Sequence, residues 1–365
     1  MSSTPRVALI AGPMYDAVSH AIDDDVEVVV AADHLSLNAA VAQLLSSGER
    51  LDVISTHGKY APSQRQWLRP LQELLDPVTV AALEPGAVAL CRDMGDLLCV
   101  PRNVDVRVLW WRTDLMDSAP DAWADLLGGS LGFGFCGRGS GLFGMFFELV
   151  VGAGGRLFDD TARPALEDAV ARDALDVITA LARRCPAGAD GWASWHYDEV
   201  DAALRSGVVD CAASWPGATA ELRSSPLGGL LRAALYPAGT HRRVSYSGCH
   251  GWAIPTTCGD LDAAVALVER LCSPEIHGIE ASLGGIPARS DVLEAITPVD
   301  DVDAERLAVT RATIAEAMIT YPALERFPLL EETGAAAITA AARGDLEPSR
   351  ALDIIQRELA AVTVN

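Results

Sequence analysis

The side chains best suited to holding a ligand sit where apolar runs of this chain end. In VPRNVDVRVLWWRTDL, Val100 to Leu115, three valines (Val104, Val106, Val108) alternate with Asp105 and Arg107, and Leu109, Trp110 and Trp111 then break the alternation. A strand of that period places Asp105 and Arg107 on one face. A carboxylate and a guanidinium fork fix polar groups through directed hydrogen bonds, and indole rings offer flat apolar platforms. The competing reading is an Asp–Arg pair on a solvated face, worth about 0–1 kcal/mol. Two successive tryptophans on a strand face opposite ways, so at least one of the two belongs to a core.

Similar combinations recur along the chain. Tyr15 follows Gly12 and Pro13 after the first apolar run, and HGKY supplies His57, Lys59 and Tyr60 after the third. CGRGS carries Arg138 and Ser140, DGWASWHYDE gathers Trp192, Trp195 and His196, and ASWPG ends a run with Trp215. In YSGCHGWAIP, Tyr246, His250 and Trp252 alternate on one face of an extended run, with Cys249 pointing the other way. Arg289 in GIPARSD suits a ligand contact, a helix cap or an ion pair equally. For Tyr15 the alternative is packing against the first helix. For Lys59 it is a solvated loop, and one of the two loop tryptophans is needed only for packing.

The elements that must position these residues alternate. RVALIAG (6–12), VEVVVAA (26–32) and LDVIST (51–56) read as buried strands. SLNAAVAQLLSSG reads as a helix with Ser36 as N-cap and Gly48 as its stop, and QRQWLRPLQELL (64–75) as another. This order predicts a parallel sheet covered by helices, with ligands outside the carboxyl ends of the strands. After Val108 the pattern restarts: helices over 120–127, 162–185 and 197–207, strands over 131–135 and 208–214, a long extended run over 242–255, and a mostly helical last hundred residues. Two α/β halves result.

Composition narrows the function. With 365 residues, a net charge of −22 and a pI near 4.6, the chain lacks the basic face that nucleic acid needs and is repelled by anionic membranes. No apolar run is long enough for membrane insertion. Lys59 is its single lysine. The eight cysteines include no Cys-x-x-Cys pair, which argues against a metal site and for core thiols. GFGFCGRGSG matches Gly-x-Gly-x-x-Gly at Gly132, Gly134 and Gly137, but it leads into a long helix and GRLFDD rather than a βαβ unit, so no dinucleotide and no other cofactor is expected. His-Glu-x-x-His and a phosphate loop are both missing. MSSTPRVALIAG lacks the basic, apolar and cleavage regions of a signal peptide, so the chain as given reads as cytoplasmic.

Several segments, in order, resemble the extracellular solute-binding proteins of sugar ABC transporters, the maltose-binding-like family. They are LSLNAAVAQLLSSGERLDVISTHGKYA, LLCVPRNVDVRVLWWRTDLM, APDAWADLL, LVVGAGGRLFDD, EVDAALRSGVVDCAASWPG, GWAIP, LGGIPARSDVL and ARGDLEPSRALDIIQREL. The resemblance implies a type II periplasmic-binding-protein fold: two α/β lobes joined by a hinge, with a ligand cleft between them. The N-terminal lobe would take residues 1–108 and about 256–315, and the C-terminal lobe about 109–255 and 316–365. Residues 100–112 would be a hinge strand, with Asp105 and Arg107 beside the cleft. It further implies a monomer that binds a sugar or polyol without catalysis, closes on it, and presents a surface to ABC permease subunits outside the membrane. A sugar's hydroxyls suit carboxylates and guanidinium forks, and its C–H faces suit aromatic rings. The alternative is an enzyme resembling the thiaminase-type proteins of similar fold, with Cys136, or Cys249 beside His250, as nucleophile.

Overall fold

Val7, Ala8, Leu9 and Ile10 are all shielded from solvent, as a strand covered on both faces requires. The computed structural model describes residues 4–12 and 15–362 and divides the chain into two units. The first comprises Met1–Asp105, Gly248–Ile296 and Ala323–Glu325; the second comprises Val106–Ser247, Thr297–Pro322 and Arg326–Asn365.

The first unit is built on a five-stranded sheet in the order Glu27–Ala32, Arg6–Ile10, Val53–His57, His250–Ala253 and Val100–Pro101. The first three strands are parallel, as the βαβ pattern predicts, and His250–Ala253 runs antiparallel to both of its neighbours. The helix His34–Ser46 starts earlier than expected. Asp33 is the side chain that takes its free N–H, accepting from the Ser36 amide at 3.1 Å, and Gly48 ends the segment at φ +77°. The expected helix over 64–75 does not form. A short helix Ala61–Gln64 passes into a 3-10 turn, Arg65–Trp67, and the chain then becomes irregular. Pro70 lacks an amide hydrogen and its ring collides with the preceding turn, which stops propagation.

The second unit carries a four-stranded sheet in the order Leu231–Ala234, Val108–Arg112, Cys211–Ser214 and Phe133–Gly134. Beside it runs the helix Gly139–Gly152, apolar all round and buried from Ser140 to Gly152. Residues 297–315, expected with the first unit, pack in the second, because the helix Asp301–Glu316 lies against Leu231–Ala234 and Val108–Arg112. Residues 248–255, expected in the second unit, pair into the first sheet instead. The long run over 242–255 is therefore two strands. Ser245–Gly248 pairs with Met318–Ile319, and His250–Ala253 pairs with Val53–His57.

One charged residue lies inside the apolar helix. Glu148 is buried, and its carboxylate accepts from Arg107 Nε at 3.1 Å, from Arg107 Nη2, and from the Tyr246 amide at 2.7 Å. Arg107 Nη1 donates to the Gly141 carbonyl at 3.1 Å, and the Ser245 hydroxyl bridges the Arg107 amide and carbonyl at 2.7 and 3.0 Å. Burial pushes the Glu148 carboxyl up, and the Arg107 guanidinium opposes that. Gly144 permits the approach, since a Cβ there would stand 2.9 Å from Tyr246 Cδ1 and 3.3 Å from Arg107 Nη2. Arg107 is thus a structural residue, contrary to the sequence-based expectation of a ligand contact. Its neighbour Asp105 bonds to Asn103 at 2.9 Å instead, so the two do not form the expected Asp–Arg face.

Removing the carboxylate leaves the buried guanidinium without its counter-charge. Glu148→Ala is predicted to cost about 3–5 kcal/mol, and Glu148→Gln, which keeps an acceptor, less. Urea denaturation of the purified variants checks this, and a loss below about 1 kcal/mol for Glu148→Ala would contradict it.

Candidate functional site

In the first unit the register of two antiparallel strands sets His250 opposite His57 and Trp252 opposite Ser55. At this strand end the rings of His57 and His250 stand 5.0 Å apart, and Tyr15 meets His250 edge-on at 5.1 Å. Tyr60 lies 5.7 Å from His57, and Lys59 Nζ lies 5.0 Å from the Tyr60 ring. The Lys59 amide donates to His57 Nδ1 at 3.2 Å, which makes that nitrogen the acceptor and leaves Nε2 to carry the proton. Asn38, Ser55, Thr56, His57, Tyr60 and His250 line a small pocket here. Tyr15, His57, Lys59, Tyr60, Asp105 and His250, picked out from separate segments, thus fall within one unit. Pro13, named with Gly12 and Tyr15, lies outside the described residues.

A shell that the sequence did not disclose supports this cluster. Arg102 stands 4.9 Å from the Tyr15 ring and 5.2 Å from the Trp252 ring, and its Nε donates to Glu280. Asn103 Oδ1 accepts from the His250 amide at 2.8 Å, while its Nδ2 donates to Asp105. Burial, with Arg102 and Lys59 adding to it, holds His250 down to about 3, so the ring is neutral near pH 7. Burial pushes Asp105 up to about 7, with Asn103 opposing and Glu280 adding. Arg102 and Asn103 stand inside the VPRNVDVRV stretch without a pattern to mark them. Glu280 arrives from the helix Pro274–Ser282, 178 residues beyond Arg102, and carries no local signal.

In the second unit Trp215 follows the strand Cys211–Ser214, and its carbonyl accepts from Trp110 Nε1 at 3.3 Å. Its ring lies 4.8 Å from Tyr197, which lies 4.7 Å from His196. His196 Nε2 is 3.4 Å from the Ser140 hydroxyl, and Arg138 Nε donates to the Ser194 carbonyl at 2.7 Å. Trp195, His196, Tyr197 and Trp215 are half-buried and Arg138 is exposed. Partly open rings beside a hydroxyl, an imidazole and a guanidinium make a stacking surface with a polar rim. Tyr197 is the ring missed from sequence, where it read only as the start of a helix.

Other expectations fail on burial. Trp192 is 1% exposed and stacks on Phe135 at 5.6 Å, so it is core. Trp252 is equally enclosed beneath Arg102 and supports the cluster rather than facing a ligand. Tyr246 is buried, lies 5.0 Å from Tyr321, and belongs to a different unit from His250 and Trp252, because the chain passes between units after Ser247. Arg289 donates twice to Asp291 at 2.8 Å and once to the Cys272 carbonyl at 3.1 Å, fixing the start of the helix Ser290–Ala295. The glycines of the Gly-x-Gly-x-x-Gly match serve packing: a Cβ on Gly137 would lie 2.0 Å from the Trp192 carbonyl oxygen, and one on Gly132 2.6 Å from Pro186 Cγ. Cys136 is buried and desolvation pushes its thiol far up, the opposite of an activated nucleophile. Cys249 is also buried.

No protein-family model matches the chain. Its fold is shared with solved solute-binding proteins along nearly the whole length. It resembles maltose-bound MalE3 of T. maritima at 19% identity and a TM-score of 0.86, covering 97% of this chain and 98% of that one. A solute-binding protein of Thermotoga lettingae bound to α-D-tagatose matches at 18% identity and 0.86, over 99% and 100% of the two chains. One of Agrobacterium radiobacter in complex with ribitol matches at 18% and 0.83, over 98% of each. The chain therefore has the type II periplasmic-binding-protein fold that these proteins share.

The first cluster generates two titrations. Asp105 keeps a proton in the native state up to about pH 7 but loses it near 3.8 when unfolded, so its contribution to stability falls as pH rises through that window. Asp105→Asn is predicted to gain on the unsubstituted protein across about pH 4–7, by at most about 1.4 kcal/mol per pH unit, and to gain no more above it. Denaturation series at pH 4, 5.5 and 7 check this, and a pH-independent difference would contradict it. His250 has the opposite sign, since the native ring titrates near 3 and the unfolded one near 6.5; its contribution is present above pH 6.5 and lost as pH falls. Its ring nitrogens, assigned with His250→Gln, are predicted to give a neutral-imidazole NMR pattern at pH 5.

Proposed function

We propose that the chain binds a carbohydrate or polyol without transforming it, as the substrate-binding component of an ABC sugar transporter or as a cytosolic relative of one. The observation that carries this reading is the likeness, over almost every residue, to binding proteins whose structures hold maltose, tagatose and ribitol. Two local features support it. Tyr15, His57, Lys59, Tyr60, Asp105 and His250 carry donors and acceptors of the kind that hydroxyls need, with His57, Tyr60 and His250 largely buried, and Trp195, His196, Tyr197 and Trp215 supply rings that suit C–H faces. Arg138 and Ser140 add donors beside those rings. Permease subunits are the proposed protein partner, with the chain acting as a monomer. No observation favours the cysteine-enzyme alternative.

A thermal-shift screen with maltose, tagatose, ribitol and mannitol tests the reading. A ligand at a hundred times its Kd adds about 2.7 kcal/mol of stability, enough to raise Tm visibly. One class should shift Tm, and Trp215→Ala and Lys59→Ala should each weaken that ligand by about 10-fold or more. No shift with any sugar or polyol would overturn the proposal.

A further inference from the structure

We propose that Cys91 and Cys249 are joined by a disulfide when the chain folds in an oxidising environment. Their sulfurs stand 3.4 Å apart, in contact, although 158 residues separate them in sequence. Cys91 follows the helix Pro85–Leu90, and Cys249 is the single residue between the strands Ser245–Gly248 and His250–Ala253. Both are buried, and helix and strand are held in place independently of the thiols. The Cys249 carbonyl accepts from the Gly58 amide at 2.8 Å, and the Cys91 carbonyl accepts from the Leu98 amide at 3.0 Å. Bonding requires the sulfurs to close from that contact to about 2.05 Å.

The location gives the pair a consequence. Gly58 lies directly over Cys249, where a Cβ would stand 3.0 Å from the sulfur, so the thiol sits beneath the loop that carries His57, Lys59 and Tyr60 and one residue from His250. A bond there ties the helix Pro85–Leu90 to the floor of the first-unit cluster. A third thiol, Cys99, packs against Gly251 on the same side, where a Cβ would stand 3.2 Å from its sulfur. Among the described residues no group of three or more Cys, His, Asp or Glu is arranged to hold a metal ion. The bond does not depend on what the cluster binds.

The reaction is a two-electron oxidation by a low-molecular-weight disulfide. One cysteine thiolate attacks the disulfide and releases one thiol. The second cysteine then attacks the mixed disulfide and releases the other, so that each small thiol carries away one electron and one proton. Because both sulfurs are enclosed in the native chain, the exchange takes place before the first unit closes over them.

Refolding the full reduced chain in reduced and oxidised glutathione, with a parallel sample in dithiothreitol, tests the proposal. Remaining thiols are trapped with N-ethylmaleimide in denaturant and mapped by mass spectrometry. In the glutathione sample a linked Cys91–Cys249 peptide should dominate, with the other six cysteines alkylated, and Tm should exceed that of the dithiothreitol sample by several degrees. Cys99→Ser should keep the link. Folded protein with both Cys91 and Cys249 alkylated, or a Cys91–Cys99 link in its place, would overturn the proposal. The map of the unsubstituted protein decides the matter even if a cysteine variant fails to fold.

Discussion

Much of the second unit depends on a carboxylate and a guanidinium buried together. Glu148 lies within a helix that is otherwise apolar, and Arg107 reaches it from just beyond the point where the chain enters that unit. Burying both charges costs several kcal/mol per ion, and only close pairing with full hydrogen bonding offsets it. Here the guanidinium meets two carboxylate oxygens and a helix carbonyl, while the same carboxylate takes the Tyr246 amide. The entering chain, the helix Gly139–Gly152 and the strand Ser245–Gly248 are thereby tied to one another through these bonds. Gly144 is what makes room for them.

That constraint decides which residues are left to meet a ligand. With Arg107 consumed and Tyr246 enclosed, the second unit offers half-buried rings around Trp215 and Tyr197 with Ser140, His196 and Arg138 at their margin. In the first unit an analogous pair, Arg102 and Glu280, is also buried, but it stands behind the cluster and sets its electrostatics. The loss of water, with the nearby cations adding to it, keeps His250 neutral, and desolvation brings Asp105 near the midpoint of its titration at neutral pH. A neutral imidazole both donates and accepts, which matches a hydroxyl better than a fixed charge does.

Features carried by local pattern were legible in the sequence. The parallel strands, the buried helix after CGRGS, and strand-end clusters at HGKY and ASWPG all arise from hydrophobic period and turn residues. What failed did so because distant atoms decided it. Asp105 and Arg107 share a period but not a unit, and each found a better partner than the other. YSGCHGWAIP has the alternation of one strand, yet the chain leaves one sheet for another at Ser247, so Tyr246 parts from His250. Pro70 overrode an otherwise helical spacing. Trp192 and Trp195 cannot be told apart by spacing, since only the proximity of Phe135 makes the first of them core. Glu280 and Tyr197 entered their clusters through tertiary contacts that no motif announces.

The function proposed for the chain is binding without chemistry. Titrating a uniformly ¹³C-labelled sugar or polyol, chosen from the class that stabilises the protein, and following the ligand's NMR spectrum tests both halves at once. Non-catalytic binding predicts saturable one-to-one broadening or shifting of the ligand signals and an unchanged spectrum after prolonged incubation and release. New resonances that accumulate with time, or signals indifferent to the protein, would contradict it.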